Sequence, residues 1–126
     1  MKKMALVLGL VLGLVLGCEL GVDWILCGKS PVMTVSYDAN SVKHLSDGII
    51  QAKVKVEVNS PILKLKTVSL LQFKARKVRT MNFVLYNKDG KNEMDFPNGT
   101  DWKSVDDHES TNNGFDLVYE ALKQKQ

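Results

Sequence analysis

The sequence contains few residues of the kinds that perform catalysis or bind metals. Its 126 residues include 2 cysteines and 2 histidines, with no Cys-x-x-Cys pair. His44 and His108 lie far apart in the chain and have no carboxylate pattern of the kind that marks a zinc site. No serine lies in a Gly-x-Ser-x-Gly context, and no glycine-rich loop is spaced to hold phosphates. These absences predict a protein that is not an enzyme and has no catalytic residues, metal or cofactor.

The chain also lacks a strong excess of charge once its first residues are set aside. The 17 basic and 14 acidic residues give a net charge of +3, but Lys2 and Lys3 belong to the leader described below. The 15 basic residues that remain exceed the 14 acidic residues by one. Overall charge therefore offers no case for binding nucleic acid. Residues 18–126 are enough for one domain with its own core.

Residues 1–17 have the composition of a secretory signal peptide. Met-Lys-Lys is followed by an apolar run over residues 4–17 that contains Leu-Val-Leu-Gly three times, and Cys18 comes next. This arrangement resembles the lipobox of bacterial lipoproteins, in which the cysteine is lipidated and becomes the mature N-terminus. We therefore expect export, lipidation of Cys18 and attachment to a membrane, with residues 18–22 as the tether.

Two alternatives to a lipid anchor stay open. Gly17 and Val15 suit the lipobox, but Leu16 is bulkier than is usual there. An ordinary signal peptidase also accepts the residues at positions 15 and 17, and Cys18 could then form a small disulfide loop with Cys27. An uncleaved anchor is the second alternative, although the apolar run is shorter than the roughly 20 residues that span a bilayer. If Cys18 is lipidated, Cys27 has no partner and is expected to pack as a small apolar side chain.

Alternating apolar and polar residues predict a sheet. The clearest strand covers residues 50–58, where alanine and valine share one face while lysine, glutamine and glutamate share the other. Further strands are predicted over residues 23–27, 32–37 and 78–86. In the last of these, strict alternation places residues 78, 80, 82, 84 and 86 on one face. Asp89 and Gly90 predict a hairpin turn after it.

One helix is predicted, at the C-terminal end. Phe115, Val118, Tyr119 and Leu122 recur at helical spacing within residues 115–125, and Asn113 is expected to cap this helix. Residues 106–114 are interpreted as a loop. The predicted fold class is α+β, a curved antiparallel sheet of about five or six strands with one C-terminal helix packed on it. A single domain of residues 23–126 follows the tether.

A cluster of basic residues is the candidate interaction surface. Lys74, Arg76, Lys77 and Arg79 fall in a turn between two predicted strands, where cations would meet anionic lipid headgroups, glycans or an acidic partner. The alternative is a hairpin end that only keeps the protein soluble. The acidic residues at 101–109 are interpreted as a solvated loop, because the spacing of an EF-hand calcium loop is absent.

The order of several short motifs is similar to that of the surface-adhesin E family of bacterial lipoproteins. The likeness covers about residues 24–123. It is carried by Trp24, Tyr-Asp-Ala-Asn-Ser-Val at 37–42, Phe-Lys-Ala-Arg-Lys-Val-Arg at 73–79, Leu-Tyr-Asn-Lys-Asp-Gly-Lys at 85–91, Trp-Lys-Ser-Val at 102–105 and Leu-Val-Tyr-Glu-Ala-Leu at 117–122.

The resemblance implies a curved antiparallel sheet with a C-terminal helix, a location in the outer membrane or periplasm, and no catalytic residues. It implies surface binding, of which adhesion to a host or envelope macromolecule is one form. A periplasmic inhibitor or accessory lipoprotein acting on an envelope enzyme is the alternative. Family members usually have a cysteine where Phe73 stands and another near Lys123. Because this chain has neither, a contact between Phe73 and the helix is expected to replace that disulfide.

Overall fold

The computed structural model describes residues 21–62 and 64–124, and the predicted leader and Cys18 lie outside them. Within these residues the chain forms eight strands: β1 Trp24–Lys29, β2 Met33–Asp38, β3 Lys43–His44, β4 Ile50–Asn59, β5 Lys64–Lys74, β6 Lys77–Asn87, β7 Gly90–Asp95 and β8 Lys103–Ser104. Two α-helices follow, which are α1 His108–Asn112 and α2 Phe115–Gln124. The α+β class is confirmed, with more strands than the five or six predicted.

The strands form one antiparallel sheet in the order β1-β2-β4-β5-β6-β7. The short β3 pairs with the first residues of β4, and β8 pairs with the first residues of β6. The longest pairing joins β4 to β5, from Ile50 opposite Phe73 to Asn59 opposite Lys64. The long central strands therefore lie inside the sheet, and the short strands form its edges.

Both helices lie on one face of the sheet, which we call the helix side. Val118 and Leu122 of α2 are buried there, as are Val35 and Tyr37 of β2. Phe73 of β5 is fully buried, and its ring centroid lies 6.1 Å from that of Tyr119 in α2. The expected contact between Phe73 and the helix is therefore present.

The predicted loop at 106–114 and the predicted cap of α2 are wrong. Residues 108–112 form α1, which begins at Asp107, whose side chain accepts a hydrogen bond from the backbone N–H of Ser110 at 2.7 Å. Asn113 ends this short helix, and its backbone N–H donates to the carbonyl groups of Glu109 and Ser110. Asn113 is not the cap of α2, because Gly114 lies between Asn113 and the first residue of that helix, Phe115. The sequence did not predict α1 because its residues are polar: its one buried residue is Ser110, so the helix has no apolar periodicity.

The strict alternation predicted for residues 78–86 is also wrong. Leu70 pairs with Asn82 and Leu71 pairs with Thr80, so Met81 is an extra residue that has no partner in β5. After such a β-bulge, alternate residues of the strand lie on the opposite face of the sheet from the one they occupied before it. Val78 and Thr80 therefore lie on the helix side, whereas residues 82, 84 and 86 lie on the opposite face.

In the part of the chain described above, no helix is long and apolar enough to cross a membrane.

Candidate binding surface

The two faces of the central sheet differ sharply in charge. Register places none of the charged residues of β4, β5 and β6 on the helix side. The opposite face of these three strands, which neither helix covers, is called the open face. It carries one carboxylate, Glu57, and seven cations: Lys53, Lys55, Lys64, Lys66, Lys74, Lys77 and Arg79. Residues 18–126 are almost neutral overall, yet these three strands concentrate positive charge on one face, beside which β7 adds Glu93 and Asp95.

The predicted interaction cluster lies at the β5–β6 hairpin. Lys74 pairs with Lys77, and the two residues between them, Ala75 and Arg76, have φ of 50° and 61°. Positive φ at both central positions is the backbone of a type I′ turn, which suits the twist of a hairpin. The register divides the cluster, since Lys74, Lys77 and Arg79 lie on the open face while Arg76 extends toward the helices.

Arg76 is held by carboxylates on the helix side. Its Nε and Nη2 donate to Asp106 at 3.0 and 2.7 Å, and its Nη1 donates to Glu120 of α2 at 2.7 Å. The guanidinium also lies 5.4 Å from the ring centroid of Tyr119. Arg76 therefore connects the hairpin to α2 and to the turn before α1, and its charge is compensated locally.

The hydrogen bonds from Arg76 hold the pKa of Asp106 below its ordinary value of 3.8. This ion pair therefore stabilises the fold above that value, and its contribution disappears as the pH falls through the lowered pKa. An Asp106→Asn variant should be less stable than the parent near pH 6, and the difference should shrink toward pH 2.5. Urea unfolding midpoints at both pH values measure it, with Asp89→Asn in the exposed β6–β7 turn as the control. A difference that is equal at both pH values would contradict the assignment.

Arg79 is the last of three hydrogen-bonded side chains that lie across the open face. Its Nε donates to Oε1 of Gln72 at 3.0 Å, and Nε2 of Gln72 donates to Oε1 of Gln51 at 2.8 Å. The Arg79 guanidinium also stacks on Trp102, with 4.5 Å between its carbon and the ring centroid. Sequence reasoning did not identify Gln51, Gln72 or Trp102, although both glutamines occupy the polar positions of alternating strands.

Two further aromatic rings lie beside lysines of the open face. The Lys55 ammonium is 4.5 Å from the ring centroid of Trp24, and the Lys66 ammonium is 4.7 Å from that of Tyr86. Lys55 is also 3.7 Å from Glu57. Each cation–π contact stabilises one position of a long side chain by about 0.5–1 kcal/mol at an exposed site. These contacts favour one position for the ammonium groups of Lys55 and Lys66.

Three of the four acidic residues at 101–109 have structural partners. Asp106 holds Arg76, Asp107 caps α1, and Glu109 forms an ion pair with Lys103. The backbone hydrogen bond from Ser110 lowers the pKa of Asp107. Among the residues the structure describes, no group of three or more histidine, cysteine, aspartate or glutamate side chains is arranged to hold a metal ion.

Cys27 lies in the irregular part of β1 and has no disulfide partner among residues 21–62 and 64–124. Burial raises the pKa of this thiol to about 11, so it is protonated at neutral pH and a weak nucleophile. Cys27 is only half-buried, so the expectation of a small apolar side chain packed within the domain holds in part. Cys18 lies outside the described residues, so its lipidation stays a prediction.

The fold and its surface define a small α+β domain with a basic, uncovered sheet face. A comparison of the chain with protein families, with curated proteins and with solved structures finds no match. The likeness to the surface-adhesin E family therefore stays a prediction from the motifs.

Proposed function

We propose that this protein is exported, anchored to a membrane through a lipid on Cys18, and acts without catalysis by binding an acidic protein on its open face. Adhesion to a host or envelope protein is the form of binding that the family resemblance favours. The observation that carries the proposal is the separation of charge between the two faces of β4, β5 and β6. Seven cations lie on one face of these strands and no charged residue lies on the other.

The composition of the open face favours a protein as the partner. Apolar side chains lie between the cations, among them Val68, Leu70 and Val84, which are half-buried. Leu26 on β1 extends this set toward the sheet edge and is 57% exposed. Protein interfaces combine apolar contacts with charged groups at the rim, whereas a purely anionic polymer offers no apolar complement.

Two matched double variants test the role of the open face. Lys74→Gln/Lys77→Gln removes two positive charges from it, and Lys88→Gln/Lys123→Gln removes two from exposed positions outside the three central strands. A copolymer of glutamate and tyrosine serves as an acidic polypeptide that also carries apolar groups, and its affinity is measured by titration at low and moderate salt. The first variant should bind about threefold to tenfold more weakly than the parent, because each exposed ion pair contributes about 0.2–1 kcal/mol. The second variant should bind like the parent.

Equal losses in the two variants would overturn the proposal, because overall charge would then explain the binding. Heparin and vesicles containing phosphatidylglycerol are measured in parallel. Binding to either of these with no binding to the glutamate–tyrosine copolymer would replace the acidic protein by a glycan or a lipid surface as the partner. A lipid at Cys18 would hold Trp24 within about 20 Å of the membrane, because only five residues separate them. The vesicle measurement is therefore the most important of these comparisons.

Protease treatment of intact cells separates adhesion from action inside the envelope. A surface-exposed adhesin should be removed by the added protease, with a periplasmic enzyme as the protected control. Protection of this protein would instead favour a periplasmic inhibitor or accessory lipoprotein.

A further inference from the structure

A cavity of about 370 Å³ lies on the helix side of the sheet, away from the open face. It is bounded by β5 and β6 below and by α1 and the start of α2 above. Ligand pockets in proteins usually enclose about 300–1,000 Å³. A cavity of this size is more than a packing defect between the sheet and its helices, because well-packed interiors contain few voids larger than a water molecule.

The lining of the cavity has an apolar part and a hydroxyl part. Phe83, Phe96 and Phe115 supply aromatic rings, whereas Thr67, Ser69 and Thr80 supply hydroxyl groups. Both groups border the same space, so a bound molecule would meet apolar surface and hydrogen-bonding groups together. Aromatic and apolar walls with a few placed polar groups are typical of small-molecule sites.

Three charged residues border the cavity, namely Arg79, Lys103 and Glu109. Lys103 and Glu109 form an ion pair with each other. Arg79 also borders the cavity, but its guanidinium donates to Gln72 and stacks on Trp102. The Lys103–Glu109 pair carries no net charge, and the Arg79 guanidinium is engaged by Gln72 on the open face. The cavity therefore offers an ionised ligand no counterion of its own, and burying an unpaired charge is costly. The lining therefore favours a neutral molecule.

Ser69 supplies the polar contact that indicates a ligand. It is only 5% exposed, and its hydroxyl has no hydrogen-bond partner within residues 21–62 and 64–124. Every fully enclosed side-chain nitrogen or oxygen of those residues does have a partner. The Ser69 oxygen is therefore open to the cavity and not sealed in the core. A hydroxyl in this position takes its hydrogen bond from what occupies the cavity, a water molecule or a ligand that displaces it.

We propose that this cavity binds a small neutral molecule that has an apolar body and a hydrogen-bonding group directed at Ser69. The site lies on the other side of the sheet from the open face, because Ser69 lies on the opposite side of β5 from Val68 and Leu70, and the two surfaces share only Arg79 among the cavity-lining residues. The domain thus carries two binding sites, one on each side of its sheet.

A neutral fluorescent probe, N-phenyl-1-naphthylamine, tests the cavity. It consists of aromatic rings with one N–H group, and its emission rises in apolar surroundings. The native protein should give a saturable rise that fits one site. Ser69→Leu fills the cavity and should weaken binding at least about tenfold. Ser69→Ala keeps the space but removes the hydroxyl, and should weaken binding about fivefold, as expected for one lost hydrogen bond. Val68→Leu, which faces the other side of the sheet, should bind like the parent.

Circular dichroism melting establishes that each variant is folded. If Ser69→Leu does not fold, Thr67→Leu on the same strand takes its place with the same expected loss. The proposal is overturned if the native protein gives no saturable signal. It is also overturned if the folded cavity-filling variant binds the probe as tightly as the parent.

Discussion

Replacing Phe73 with alanine should lower the free energy of unfolding by about 3–5 kcal/mol, the usual cost of removing a buried phenylalanine. Phe73 is fully buried, lies between Ile50 and Val78 on the neighbouring strands, and contacts Tyr119 of α2. Its loss would leave a cavity between the sheet and the helix that covers it. Domains of this kind are stable by only about 5–15 kcal/mol, so the variant would lose a large share of its stability. Urea unfolding curves measure the change.

Leu70→Ala is the matched control for Phe73→Ala. Leu70 lies three residues earlier in the same strand but on the open face, where it is half-buried. The control should lose clearly less stability than Phe73→Ala, since less apolar surface returns to water. Equal losses in the two variants would mean that Phe73 does not hold the helix to the sheet. It would then be no substitute for the disulfide that the surface-adhesin E resemblance places at this position.

Gly114→Ala should lower the free energy of unfolding by about 2–5 kcal/mol. Gly114 lies between the two helices with φ of 74°, a left-handed conformation that costs other residues about 1–2 kcal/mol. It also packs closely on β2, since a Cβ atom there would lie 2.6 Å from Cγ2 of Val35. The clash would push α2 away from the sheet, and overpacking of a core typically costs a further 1–3 kcal/mol.

Gly48→Ala separates these two causes. Gly48 has nearly the same φ, 75°, but nothing lies within 4 Å of the position that its Cβ would occupy. This variant should therefore show only the backbone cost of about 1–2 kcal/mol. Urea unfolding of both variants gives the comparison. If Gly114→Ala costs no more than Gly48→Ala, the close approach of α2 to Val35 does not contribute to stability.

The parts of the fold that follow from local pattern were predictable from the sequence. The β4 strand was predicted over 50–58 and observed as Ile50–Asn59, because its alternation is strict. The helix at 115–125 was predicted and observed as Phe115–Gln124, because its apolar residues recur at helical spacing. The bulge at Met81 was not predictable, since the extra residue is defined only by pairing with β5.

The candidate surface was predictable only in part. Its basic residues and their place at a hairpin were visible in the sequence. The sequence did not show that Arg76 lies on the other side of the sheet from the rest of the cluster. Its position depends on its partners Asp106 and Glu120, which are distant in the chain. The cavity beside Ser69 was hidden for the same reason. It forms where two strands meet two helices, and no local pattern records that juxtaposition.

Mass spectrometry of the N-terminus of the mature protein, purified from membranes of the producing cells, tests the central claim most directly. A lipid-anchored binding protein should begin at Cys18 and carry acyl chains on that residue, while the Cys27 thiol stays free. A mature chain that begins at another residue, or that begins at Cys18 with an unmodified amine and thiol, would contradict the account.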